Sequence, residues 1–221
     1  MNDLVKPVLA EFIGTFTLVF IGAGAVAATV QNGFDVTVPA FAHGLVVLAL
    51  IYAYGHISGT HLNPAVTVGL LVGGHIDVTK AIAYIIAQFI AGIVAAYVLF
   101  AMVDGPAGNY GQTVGSITDT NLIGAVIFEA ILTFFLVSSI YQSAVFGKAG
   151  NFAGVAIGLT LVFCILAGGP YTGASLNPAR TLGPALAAGQ LGYVFPYFIG
   201  LFAGGALAGV VQQYLLGPDS E

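Results

Sequence analysis

Six apolar runs decide what this chain can become: roughly residues 8–30, 40–57, 81–103, 122–146, 152–169 and 191–216. Each can cross a hydrocarbon layer about 30 Å thick, which takes about 17–25 helical residues. Only 6% of the chain is charged, against about 25% in a soluble domain, so its surface cannot be covered in water. Lipid is the solvent. Because no water is there to satisfy an open backbone, the expected fold class is an all-α membrane protein with six transmembrane helices. The same scarcity of polar groups excludes other classes. Four basic residues leave no nucleic-acid footprint. Cys164 is alone, so neither an intrachain disulfide nor a cysteine metal cluster is expected. No nucleophile with a paired base and no cofactor box stands out, so neither enzyme activity nor a cofactor or metal is expected. Asp3 and Glu11 make the first run a poor signal peptide, and it reads as a retained span.

Six crossings place Lys6, Lys80 and Lys148 on one side of the membrane and Asp35, Asp104 and Asp119 on the other. The lysine side, with both termini, is then expected to be cytoplasmic and the membrane the cell membrane.

The chain also repeats itself. "AEFIGTFTL" (10–18) and "FEAILTFFL" (128–136) share Glu-x-x-x-Thr-x-x-Leu at Glu11/Thr15/Leu18 and Glu129/Thr133/Leu136. "FAHGL" (41–45) lines up with "VAIGL" (155–159). The same register lays Gly59 on Gly173, Leu62 on Leu176, and Asn63-Pro64-Ala65 on Asn177-Pro178-Ala179. Each half holds three spans, an odd number, so the second half enters from the opposite face. A single channel domain, 1–221, is expected, with inverted-repeat halves 1–103 and 122–216 and a pseudo-two-fold axis in the membrane plane.

Pro is tolerated in the first turn of a helix, and Asn is among the best residues just before it. "NPAVTVGLL" and "NPARTLGPAL" therefore read as short helices starting at Asn63 and Asn177. Nine or so residues give about 13 Å, near half the membrane, so two re-entrant half-helices inserted from opposite faces meet near its middle. The flanking "HISGTHL" and "GGPYTGASL" are expected as irregular backbone. At that depth such backbone is tolerated only when packed in protein or lining a water-filled cavity.

Paired Asn-Pro-Ala boxes within "GHISGTHLNPAV" (55–66) and "YTGASLNPAR" (171–180), with the Glu-x-x-x-Thr repeats, resemble the aquaporin or major intrinsic protein family over essentially the whole chain. The resemblance implies an hourglass channel in each subunit of a homotetramer, set in a lipid bilayer and passing water and small neutral solutes but not protons or ions. It implies that Asn63 and Asn177 donate hydrogen bonds to water at the channel centre. It further implies that the carbonyls of Gly59, Thr60, His61, Gly173, Ala174 and Ser175 form an acceptor ladder, and that Glu11 and Glu129 brace the re-entrant loops. Counting from the two asparagines, the outer filter falls on His43, Ile165, Ala174 and Arg180. Strict water channels resemble Phe, His, a small residue and Arg at these places, so this chain departs at the first two. The set His/Ile/Ala/Arg is similar to that of plant tonoplast intrinsic proteins and shares its Ile with some archaeal aquaporins. It implies a filter at least as wide as a water-only one, open to water and also to ammonia, hydrogen sulfide or peroxide. Glycerol facilitators typically carry Asp where this chain has Thr181, and a Pro-Leu pair where Tyr197-Phe198 aligns.

Two other function classes stay open at this point. A secondary transporter can also use inverted repeats with broken helices, and Glu11 and Glu129 are its only candidate cycling groups. A scaffold role would need binding motifs that the short ends do not offer. His56 and His61 are spaced wrongly for one helical face and are not expected to hold metal. His75 sits near the cytoplasmic exit as a surface residue or a pH gate. Cys164 reads as core packing. Gly92/Ala96 and Gly205/Gly209 suit tight helix crossings, and Asn109 and Tyr110 are candidates to reach the outer mouth.

Overall fold

In a computed structural model that describes residues 4–218, every regular element among the described residues is helical; Asp3 and both extreme ends lie outside them. The elements are α1 (Val5–Asn32), α2 (Thr37–Ser58), α3 (Pro64–Val72), α4 (Val78–Phe100), α5 (Leu122–Ile140), α6 (Ala153–Thr172), α7 (Pro178–Ala188) and α8 (Val194–Val210). π-helical turns over Tyr141–Val145 and Val211–Leu215 extend α5 and α8. Six of these helices are long and apolar enough to cross a membrane, while α3 and α7 are the two short ones. This is the expected six-span architecture with two half-helices.

Both half-helices begin where proline and asparagine dictate. Asn63 and Asn177 are extended at the cap position, and each side-chain oxygen accepts from the N–H two residues on, Ala65 at 2.8 Å and Ala179 at 2.9 Å. The irregular stretches are shorter than the sequence suggested. α2 runs to Ser58 and α6 to Thr172, so only Gly59–Asn63 and Gly173–Asn177 leave the helical path. α6 continues through Pro170 to Thr172, and its last turn has partners outside the helix. The carbonyls of Pro170 and Tyr171 accept from Ser116 and Ile117 N–H, both at 3.0 Å. The halves are knitted by close backbone crossings that glycine alone permits. A side chain on Gly44 or Gly158 would strike the other's carbonyl, which fixes α2 against α6. Each half-helix packs on the third span of the opposite half, α3 on α8 and α7 on α4. Gly205 and Gly209 lie against the carbonyls of Ala65 and Gly69, while Gly92 lies against that of Ala179. The small-residue pairs of the sequence thus serve the half-helices. With no hydrophobic drive between helices in lipid, such close packing is what holds spans together.

Candidate channel lumen

Glu11 and Glu129 organise the two loops that feed the half-helices. Glu11, fully buried in α1, accepts from Ser58 Oγ (2.6 Å), the N–H groups of His61 (2.9 Å) and Leu62 (2.6 Å), and Gln88 Nε2 (2.9 Å). Glu129, equally buried in α5, accepts from Thr172 Oγ1 (2.7 Å) and the N–H groups of Ser175 (2.9 Å) and Leu176 (3.0 Å). The partners correspond one for one in the repeat register, apart from Gln88. These bonds hold a costly backbone. Thr60, Leu62, Ala174 and Leu176 all take positive φ, between 43° and 54°, a conformation that costs a non-glycine residue about 1–3 kcal/mol. Two carboxylates, each gathering N–H groups from one side of its loop, over-determine that path.

The asparagines do two jobs at once. While Oδ1 caps its own helix, Asn63 Nδ2 donates across to the Leu176 carbonyl at 2.7 Å and Asn177 Nδ2 donates to the Leu62 carbonyl at 2.9 Å. The two half-helix starts are therefore bonded to each other's loops. An amide nitrogen carries two hydrogens. The cross-bridge uses one at each residue, and both residues sit on the wall of a single lumen.

The empty space along that lumen, its open ends included, amounts to about 740 Å³. One wall is polar, from Gly59, Thr60, His61, Asn63, Ser175 and Asn177; the other is aliphatic, including Val47, Ile51, Leu136 and Leu161. It runs from His43 and Arg180 at one end, past the asparagines, to Ile140 and Ala144 at the other. A second cavity, of about 580 Å³ with its open side included, continues outward and shares His43. Ile165 and Gly173 line this outer space together with Gln112 and Val114. Ala174 lines neither cavity and packs in the core cluster with Ile165 and Cys164.

Arg180 projects from the first turn of α7 and is 2% exposed. Its Nε donates to His43 Nε2 at 3.1 Å, and the other ring nitrogen of His43 lies 2.7 Å from the Pro39 carbonyl. An imidazole that accepts from a guanidinium at Nε2 carries its proton on Nδ1, so the hydrogen bonds assign His43 as the neutral Nδ1–H tautomer. Arg180 Nη1 has no partner in the protein.

Several contributors had weak sequence signals. Gln88 braces Glu11 and also bonds Thr67 Oγ1 at 3.1 Å; an isolated glutamine in an apolar span is the clue. Gln112 has no such mark. The segment joining the halves folds back so that Gly111 rests on the Ala23 carbonyl and Gly173 packs on Thr113. Gln112, rather than Asn109 or Tyr110, reaches the outer cavity. Asn109 Oδ1 accepts from Gln112 Nε2 at 3.0 Å, and Tyr110 stands edge-on to Phe100. Tyr193 OH donates to Gln112 Oε1 at 3.4 Å. At the opposite end His75 pairs with Gln213 at 2.6 Å and stands edge-on to Tyr141. Cys164 is fully buried.

The comparisons with known proteins agree with this geometry. The family model for major intrinsic proteins matches residues 1–212. The chain is 37% identical to a probable aquaporin TIP3-2 of Arabidopsis thaliana over 98% of its own length and 86% of that protein. It is 40% identical to aquaporin Z of Rhodopseudomonas palustris over 94% of its length and 92% of that protein. Its fold superposes on the X-ray structure of the aquaglyceroporin from Plasmodium falciparum with a TM-score of 0.81 and 26% identity, covering 96% of this chain and 97% of that one. A chain with this lumen and these relatives is an integral membrane protein of the major intrinsic protein family, the aquaporins, whose members are passive channels for water and small solutes rather than enzymes.

Proposed function

We propose that this protein is a water channel with a widened outer filter, which also passes ammonia and hydrogen sulfide and excludes protons and ions. The observation that carries the reading is the lumen itself. Asn63 and Asn177 both line its polar wall, and Arg180 lines its outer end beside His43. A file of water needs donors on one side and little to hold it on the other. The asparagine N–H groups supply the donors, and the carbonyls of Gly59, Thr60, His61, Gly173 and Ser175 supply acceptors. Two half-helix N-termini aimed at the middle each contribute about half a positive charge, which orients a water oxygen toward them and opposes cations.

Filter width follows from His43, Ile165, Ala174 and Arg180. His43 is drawn into the wall by its bonds to Arg180 and Pro39, and Ile165 offers no hydrogen bond to demand of a solute. Ala174 is small and set back. Proton exclusion rests on Arg180 and on the asparagine pair, which breaks the run of equivalent acceptors. The reading against glycerol rests on Thr181, whose hydroxyl is bonded to Ser175 and Thr113 within the protein.

A coupled carrier is disfavoured by the same bonds that brace the loops. Glu11 and Glu129 each hold three or more donors, and a carboxylate that cycled its proton would release its loop. Repeat halves 1–103 and 122–216 then form one channel domain over 1–221, assembled as a homotetramer as the family membership supports. Lys6, Lys80 and Lys148 on one side support cytoplasmic termini.

The test is an ammonia gradient across liposomes holding the protein and an internal pH dye. Alkalinisation several times faster than in empty liposomes is expected, and Ile165→His should slow ammonia more than water. Ammonia entry equal to that of empty liposomes would reduce the function to water alone.

A further inference from the structure

The four filter positions do not account for where the His43 ring lies. A stripe of α1 runs along the conduit: Leu18 lines the inner lumen, Val26 and Thr29 line the outer cavity, and Gly22 lies between them one turn from Leu18 and one from Val26. Residues four apart share a helix face, so Gly22 lies on the conduit-side face of α1, buried beneath the His43 ring where both cavities meet His43. The ring occupies the space its side chain would take. A Cβ on Gly22 would lie 2.6 Å from His43 Cδ2, 2.8 Å from Cε1 and closer still to Nε2.

We propose that Gly22 is a positioning residue for the selectivity filter: by carrying no side chain it lets His43 retract into the α1 wall, and the retracted ring is what keeps the outer constriction open and Arg180 in place. This deepens the channel reading above and rests on it.

Three observations converge on this. Nε2, the ring atom nearest the missing Cβ, is also the acceptor for Arg180 Nε at 3.1 Å. Nδ1 is tied to the Pro39 carbonyl at 2.7 Å. The ring is therefore held at both nitrogens, and with Gly22 filled it cannot keep both bonds. A methyl at position 22 turns the imidazole toward the conduit and removes the acceptor of a guanidinium whose Nη1 already has no protein partner. The repeat supplies the control. The register that pairs Glu11 with Glu129 places Ile140 opposite Gly22, and the register that pairs Ala42 with Ala156 places Ile157 opposite His43. Both isoleucines line the inner lumen. Where the inner end fills the first position and carries a shorter aliphatic chain at the second, the outer end empties the first and carries a ring. Small beside large replaces medium beside medium, so the ring is accommodated at the wall's expense and not the lumen's.

A four-protein comparison tests this: native protein, Gly22→Ala, His43→Ala and the double variant, each in liposomes, read as the ratio of ammonia to water permeability. Gly22→Ala in the native background is expected to lower that ratio at least about threefold. In the His43→Ala background the same substitution is expected to change nothing, because the ring it displaces is gone. Equal effects in both backgrounds, or none in either, would overturn the proposal. If Gly22→Ala alone fails to fold, the double variant should fold; failure of both would show that α1 packing, not His43, requires the glycine, and would also overturn it. Conduction by the native protein in the same assay bears on the channel reading separately, so the two can fail independently.

Discussion

Channels carrying Arg180→Val are expected to conduct protons and small cations measurably while still passing water. The guanidinium is charged at any working pH, and it lines the inner lumen beside His43, the residue both cavities share. A cation held about 4 Å from it meets roughly 4 kcal/mol of repulsion at an effective dielectric of 20. At about 1.4 kcal/mol per decade that slows passage nearly a thousandfold. Water carries no net charge and meets no such barrier. The measurement is proton flux into liposomes under a pH step, beside osmotic shrinkage of the same vesicles. A large rise in proton flux with water conduction retained is the expected result. Unchanged proton exclusion would move the whole barrier to the half-helix ends and asparagines. The substitution also removes the partner of His43 Nε2, so the ammonia-to-water ratio should shift in the same preparation.

Glu129→Ala is expected to abolish recovery of folded protein from detergent. Two buried donors, Ser175 N–H and Leu176 N–H, lose their acceptor at once, and Thr172 Oγ1 is left with only its longer bond to the Gly168 carbonyl at 3.4 Å. Each unmet buried donor costs about 1–3 kcal/mol, or roughly 2–6 kcal/mol together, against a total stability of about 5–15 kcal/mol. The loop they hold also carries positive φ at Ala174 and Leu176, a cost that the remaining bonds, such as that from Asn63 Nδ2 to the Leu176 carbonyl, must then offset with less help. Glu129→Gln keeps an acceptor oxygen but turns an N–H toward a donor, and should be intermediate. Size-exclusion recovery and the thermal aggregation midpoint read the effect. Native-like stability in Glu129→Ala would contradict the bracing role and return the carboxylate to the carrier hypothesis.

Much of this was legible in the sequence because lipid leaves few choices. With six apolar runs and no water to satisfy open backbone, helices were forced. Pro64 and Pro178 then fixed where the half-helices start. The register of Glu11 on Glu129 and Asn63 on Asn177 needed only pattern. What sequence could not give was tertiary in origin. α6 runs past Pro170 to Thr172, and the joining segment supplies N–H groups to its last carbonyls. Gln112 enters the outer cavity because Gly111 and Gly173 let two backbones touch, and nothing near it in sequence marks it. Asn109 and Tyr110 looked equally able to reach the mouth, yet one holds Gln112 and the other packs on Phe100. Gly22 was one glycine among 31 in the sequence. Only its contact with the His43 ring separates it from those that serve helix packing.

The central claim is a continuous water path that excludes protons, and osmotic shrinkage of reconstituted liposomes with internal pH recorded tests it most directly. Shrinkage several times faster than that of empty liposomes, with no added proton leak, is the predicted result. Shrinkage no faster than that of empty liposomes, or fast shrinkage accompanied by rapid proton entry, would contradict it.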